Sequence, residues 1–208
     1  MLNLIRYDLK LITDLIDNKS KVLDLGCGNG DLLSYLKNKK EVIPYGVEIS
    51  EKGIMNCIKK GVPVFQGDID EGLKDFRTKS FDYVILSQTL QATKKPYYVL
   101  KEMLRVGKKC IVSFPNFGYF RIRFFLLFKG KMPIVKTIPY HWYNTPNIHH
   151  LTIKDFYDFC KENNIKILKK LFPHSSRGKD KIINLFPNFF AQHAIFLISK
   201  DTAPNRKN

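Results

Sequence analysis

Cysteine is scarce and scattered. Cys27, Cys57, Cys110 and Cys160 form no C-x-x-C pair, which argues against a zinc site or a disulfide framework and leaves them as small core residues. Long apolar runs are missing as well, with none approaching the roughly 18 residues that cross a bilayer. The first residues, Met1-Leu-Asn-Leu-Ile-Arg-Tyr-Asp, lack the charged-then-apolar layout of a secretory signal, so a cytoplasmic setting is expected. Acid is in short supply: 19 Asp and Glu stand against 35 Lys and Arg, a formal net charge of +16. Such a surplus attracts nucleic acid, acidic lipid or an acidic protein. Much of it, however, is lysine spread over predicted helix faces (Lys37, Lys39, Lys40, Lys59, Lys60, Lys94, Lys95), the pattern of a solvated surface. Nucleic acid is therefore not expected as a partner. Repeats and low-complexity segments are absent, and 208 residues with 44% hydrophobic content fit one α/β domain over 1–200, followed by a polar tail at 201–208 expected to be disordered.

What is present is a strand pattern running into glycines: Lys21-Val-Leu-Asp-Leu-Gly-Cys-Gly-Asn-Gly30, followed by a helical sequence. Gly26, Gly28 and Gly30 permit a sharp turn and close approach by a ligand, and the helix that follows offers unpaired N–H groups. The dinucleotide fingerprint G-x-G-x-x-G is not met, because position 31 is Asp. Asp24 and Asp31 flank the turn with carboxylates that would repel a pyrophosphate and favour a cationic ligand. S-adenosylmethionine (SAM) carries an ammonium and a sulfonium and no phosphate, and D-x-G-x-G-x-G resembles the nucleotide motif of class I SAM-dependent methyltransferases.

The rest of the chain alternates strand and helix. Helical spacing covers 2–16, with Leu4, Ile5, Leu9, Ile12, Leu15 and Ile16 on one face. Strands are expected at 21–25, 42–49, 62–66, 81–87 and 109–114, with helices at 32–38, from the N-cap Ser50 through Lys60, and at 96–106. Pro63 suits the start of a strand near a sheet edge. A helix capped by Thr152 over 152–163 and two closing strands at 165–172 and 193–199, joined by a loop containing Pro187, complete the chain. The expected architecture is a doubly wound, mostly parallel seven-stranded sheet with an antiparallel edge strand.

Ligands of such sheets sit beyond the carboxyl ends of the strands. Glu48 closes the second strand, where a carboxylate accepts from both ribose hydroxyls. Asp68 could accept from the adenine amino group or simply form an Asx-turn beside Gly67, while Ile69 lines the ring. Ser87 and Gln88 leave the fourth strand beside the methionyl part, and Asp24 orients the turn or meets the ammonium through water. The candidate cofactor residues are Asp24, Gly26, Cys27, Gly28, Gly30, Glu48, Ile49, Asp68, Ile69, Ser87 and Gln88.

Val22-Leu-Asp-Leu-Gly-Cys-Gly, Gln66-Gly-Asp-Ile-Asp-Glu-Gly-Leu, Phe81-Asp-Tyr-Val-Ile-Leu-Ser-Gln-Thr-Leu-Gln, Met103-Leu-Arg-Val-Gly and Ser113-Phe-Pro-Asn-Phe-Gly occur in that order. With Trp142-Tyr-Asn-Thr-Pro-Asn-Ile-His and Phe190-Ala-Gln-His-Ala they resemble the MetW family of methionine-biosynthesis proteins over residues 5–199. Asn29 stands where members often carry Asp. The resemblance implies a SAM-methyltransferase-like fold, SAM or S-adenosylhomocysteine as cofactor, and homoserine O-acyltransferase as the partner whose acylation of homoserine the protein supports. It implies no methyl acceptor, so an active methyltransferase on a small molecule or protein stands as the alternative.

Residues 115–150 form an inserted aromatic and basic segment with Arg121, Arg123, Lys129, Lys131 and Lys136 and no acid. Its His141, Tyr143, His149 and His150, with Asn116, are the candidates for acid–base work, none of them assigned. The run Phe117-Gly-Tyr-Phe-Arg-Ile-Arg-Phe-Phe-Leu-Leu-Phe has three readings: a core helix, a docking surface for the acyltransferase, or a membrane-surface helix.

Overall fold

Parallel strands buried on both faces read as continuous apolar runs, and such runs at 21–25, 81–87 and 107–115 build the centre of a computed structural model that describes residues 6–135, 138–176 and 179–201. The elements are α1 (Tyr7–Asp14), β1 (Lys21–Leu25), α2 (Asp31–Lys40), β2 (Ile43–Glu48), α3 (Glu51–Lys59), β3 (Val64–Gln66), β4 (Phe81–Ser87), α4 (Pro96–Val106) and β5 (Gly107–Pro115). There follow α5 (Phe120–Lys129), α6 (Ile153–Glu162), β6 (Ile165–Leu171), β7 (Pro173–Ser176), β8 (Lys179–Ile182), α7 (Pro187–Phe190) and β9 (His193–Lys200). Residues 1–5 of the expected first helix, Lys136 of the insertion and residues 202–208 of the tail lie outside the described residues.

The main sheet runs β3-β2-β1-β4-β5-β9-β6. Side chains alternate across it: Tyr83 and Ile85 of β4 join Ile12, Ile16, Leu33 and Leu36 on one face. Val84 and Leu86 join Leu100, Met103, Phe156 and Phe196 on the other. Ser50 caps α3, accepting from Gly53 N, and Thr152 with Asp155 forms a capping box on α6. Among the described residues no helix is long and apolar enough to cross a membrane.

The closing strands pair antiparallel, but β9 inserts between β5 and β6, so the strand that opposes the rest lies one in from the edge. The burial patterns give the reason. Ala194 through Ile198 are buried on both faces, whereas β6 alternates half-buried Ile165 and Ile167 with exposed Lys166 and Leu168, as suits a rim strand. The link between them holds the β7–β8 hairpin and the short α7 rather than a plain loop. Helix α5 overturns its core reading: Ile122 is its buried residue, grouped with Tyr119 and Ile138, while Leu127 and Phe128 are 72% and 74% exposed.

Candidate functional site

The sheet order reverses between β1 and β4, and the glycine turn leaves β1 at that switch point. Gly26 and Cys27 donate backbone N–H bonds to Val47 O at 2.8 and 3.1 Å, latching the turn to β2. Gly26 and Gly30 are left-handed, with φ of 70° and 71°. A Cβ would lie 2.9 Å from Thr89 Cγ2 at Gly26 and 2.8 Å from Cys57 Sγ at Gly30, so space as well as conformation demands glycine at both. Cys27 packs inward, its Sγ 3.7 Å from that of Cys57, and burial foremost pushes its thiol pKa up.

The carboxylates divide into three kinds. Asp31 faces solvent, paired with Lys60 at 2.6 Å, and is not among the residues that line the cleft. Asp24 is buried, its Oδ1 lacks a hydrogen-bond partner, and burial, with the Glu48 charge second, pushes its pKa up to about 8. Glu48 is buried and accepts hydrogen bonds on both oxygens. Oε2 accepts from Gly28 N at 2.7 Å, and Oε1 from Ile49 N and Ser50 N at 3.0 and 2.8 Å. A carboxylate has about four lone-pair sites, so Oε2, with one backbone donor, retains capacity for a further one.

Asp68 forms the Asx-turn: its Oδ1 accepts from Asp70 N at 2.9 Å, capping a turn of 3-10 helix and leaving Oδ2 available. Asp70, unremarked in the sequence, is buried and accepts from Lys94 N and Lys95 N at 2.9 and 2.8 Å, tying this turn to the start of α4. Gln88 is left-handed at φ 55°, and its N–H donates to Ser113 O at 2.9 Å; Ser87 Oγ lies 3.1 Å from Ser113 Oγ.

These features surround a cleft of about 950 Å³. Of the candidate residues, Gly26, Glu48, Ile49, Asp68, Ile69 and Gln88 line it. Asp24, Cys27, Gly28, Gly30 and Ser87 are not among the residues of its wall. Ile49 is 63% exposed there, an apolar side chain set between the Glu48 and Asp68 carboxylates. Arg6, Tyr7 and Lys10 of the first helix and its cap and Tyr140 also line it without any motif to mark them, and Gln91 and His193 line it from motifs quoted above for the resemblance and not as site residues. Gln91 is buried and its Oε1 lacks a hydrogen-bond partner, while its backbone O holds Ile148 N and His149 N of the insertion.

The acid–base candidates lie elsewhere. His141 stacks on Tyr143 in solvent, and the His150 ring lies 4.6 Å from that of Phe117, tilted by 55°, its pKa pushed down by burial first and His149 second. Asn116 spends its amide on structure, donating to Asn188 O and Ala191 O and accepting from Gly118 N and Ile153 N.

Solved structures share this fold. A SAM-dependent methyltransferase from Thermotoga maritima, described as a possible histamine N-methyltransferase, aligns with a TM-score of 0.70 at 20% identity, covering 93% of this chain and 87% of that one. An Archaeoglobus fulgidus SAM-dependent methyltransferase gives 0.70 at 17%, covering 96% and 95%. Magnesium protoporphyrin IX methyltransferase from Synechocystis, with S-adenosylhomocysteine bound, gives 0.64 at 15%, covering 93% and 82%. The architecture is thus that of the SAM-dependent methyltransferases. Residues 6–198 match the family described as methionine biosynthesis protein MetW, and the chain belongs to that family. It is 34% identical over 206 residues to the bifunctional methionine biosynthesis protein MetXA/MetW of Rhodopirellula baltica, covering 95% of this chain and 33% of that one. The human mitochondrial arginine-hydroxylase NDUFAF5 is 28% identical over 97 residues, or 28% of its length. The chain thus spans about a third of the curated relatives it matches.

Proposed function

We propose that the protein binds SAM or S-adenosylhomocysteine in the cleft and acts with homoserine O-acyltransferase to support the acylation of homoserine. The observation that carries the pairing is the relative in which a MetXA and a MetW portion are one polypeptide, this chain matching a third of it. Residues of a joint function gain from a fixed high local concentration.

The residues fit the cofactor. Ile49 offers an exposed apolar face for a flat ring, Asp68 Oδ2 an acceptor for an amino group, Glu48 Oε2 an acceptor for a ribose hydroxyl, and the protonatable Asp24 a buried carboxyl behind the turn. When bound, SAM supplies an electrophilic methyl on a sulfonium. The chain's own residues position and desolvate it: α1 and its cap, through Arg6 and Tyr7, and Tyr140 of the insertion border the cleft at its outer side. Arg6 is itself held by Asp8, with bonds of 3.0 and 2.6 Å.

The second reading, methyl transfer to a small molecule or protein, draws on the size of the cleft, at the upper end of the ~300–1,000 Å³ range of ligand sites. Acyltransferase rate measured with and without the purified chain separates the two. A rate gain without labelled methyl in any product supports the accessory role. No gain, with labelled methyl appearing in an acceptor, sinks it in favour of the enzyme.

A further inference from the structure

The aromatic insertion is not spent on the core. Phe120 lies 6.0 Å from Phe190 and 5.7 Å from Phe189, Phe124 lies 6.1 Å from Phe189 and 5.9 Å from Phe128, and the array ends in solvent. Beside it, between α5 and the β7–β8 hairpin, runs a groove of about 490 Å³ whose walls include Phe120, Arg121, Lys181, Ile182, Leu185 and Phe190. No Asp or Glu lines it. Leu185 and Phe186 at its end are 72% and 67% exposed, and Phe186 is held left-handed at φ 46° with its ring outward, a costly arrangement for a bulky residue. Contiguous exposed apolar surface of this kind, rimmed by charge of one sign, marks an interaction site.

We propose that this groove docks a protein partner through an apolar segment flanked by carboxylates. Resting on the pairing proposed above, that partner is the acyltransferase. Three observations favour such an occupant. The groove is shallow but bounded on two sides, by α5 and by the hairpin, which suits an inserted segment. Arg121 and Lys181 in its walls, with Arg123 placed over the Phe189 ring at 5.7 Å, call for negative charge opposite. A second copy of the chain in a two-fold pairing would bring this same cationic face against itself, in a protein whose formal net charge is already +16. The positive potential is felt locally: His174, whose pKa burial pushes down, is pushed further by Lys181 and Arg121.

The hairpin also joins this groove to the cofactor cleft. Neighbouring residues of a strand face opposite sides, and Pro173, Ser175 and Asp180 border the cleft while His174 and Lys181, between and beside them, border the groove. A two-stranded ribbon is the wall between the two, so a shift of the hairpin on docking alters both.

The test uses the full chain and purified homoserine O-acyltransferase, with binding measured by calorimetry for wild type and for the double charge reversal Arg121→Glu, Lys181→Glu. SAM affinity of each protein alone reports that the variant is folded. The expected result is a loss of acyltransferase affinity of at least about tenfold with SAM affinity held within about twofold. Pairing that survives the double reversal overturns the docking surface and leaves the pairing intact. Absence of pairing in the wild type overturns both. Loss of phosphatidylserine-vesicle binding, or of concentration-dependent self-association, in the double variant while acyltransferase pairing persists reassigns the surface to lipid or to a second copy and overturns the proposal.

Discussion

The Glu48 carboxylate accepts the Gly28 N–H at 2.7 Å, tying the middle of the glycine turn to the end of β2. With Ile49 N and Ser50 N on its other oxygen, it satisfies three backbone donors at once. Leaving buried N–H groups unmade costs about 1–3 kcal/mol each. Glu48→Ala is therefore expected to lower stability by about 2–5 kcal/mol, whereas Glu48→Gln, with one amide oxygen left, loses less. Urea unfolding of the three proteins checks the order.

Ile49 has little structural duty, being 63% exposed on the cleft wall. Ile49→Glu places a charge where the flat ring is proposed to lie. SAM affinity should fall at least about tenfold, while stability stays within about 0.5 kcal/mol of wild type, as for surface substitutions generally. Unchanged affinity in a titration would move the adenine site elsewhere.

Asp68 performs two tasks on two oxygens, and substitutions separate them. Asp68→Asn keeps an oxygen for Asp70 N but turns an NH2 toward the cleft. It should retain stability and lose cofactor affinity. Asp68→Ala should lose affinity and in addition about 1 kcal/mol of stability from the missing cap. Equal SAM affinity in Asp68→Asn and wild type would reduce Asp68 to a turn residue.

Asp24 makes stability depend on pH. Its folded pKa is about 8, raised by burial and then by Glu48, against about 3.9 in an unfolded chain. Between these values the folded state holds the extra proton. The contribution of this group is thus full below about pH 4, declines as pH rises, and is lost above about pH 8. Asp24→Asn keeps the neutral form throughout, so its stability relative to wild type should increase from about pH 5 to about pH 8. A constant difference across that window, by denaturant titration, would remove the raised pKa.

The fold was largely legible because its strands are periodic and its turns carry distinctive residues. The run Phe81-Asp-Tyr-Val-Ile-Leu-Ser could only be a central strand, and Ser50 and Thr152 announced the helices they cap. The position of β9 was not read from the sequence, which led only to an antiparallel edge, although Ala194 through Ile198 are apolar without a break, as an edge strand rarely is. Nor was the hairpin: Pro173-His-Ser-Ser and Lys179-Asp-Lys-Ile carry neither apolar alternation nor a turn signature. At the site, spacing located Glu48 and Asp68 but not what each oxygen does, because backbone partners depend on the turn's three-dimensional path. The pairing of Asp31 was hidden for the same reason, one helical residue beyond the glycines being enough to point it at Lys60. Wall residues such as Arg6 and Tyr140 come from segments remote in sequence and carry no motif.

The proposed function joins a cofactor module to an acyltransferase. Calorimetric titration of the chain with SAM, alone and with saturating homoserine O-acyltransferase, tests it most directly. Binding is expected in both conditions with affinities differing by at least about fivefold, and the same factor is expected for the acyltransferase when SAM is present or absent. No SAM binding, or one affinity in both conditions, would contradict it.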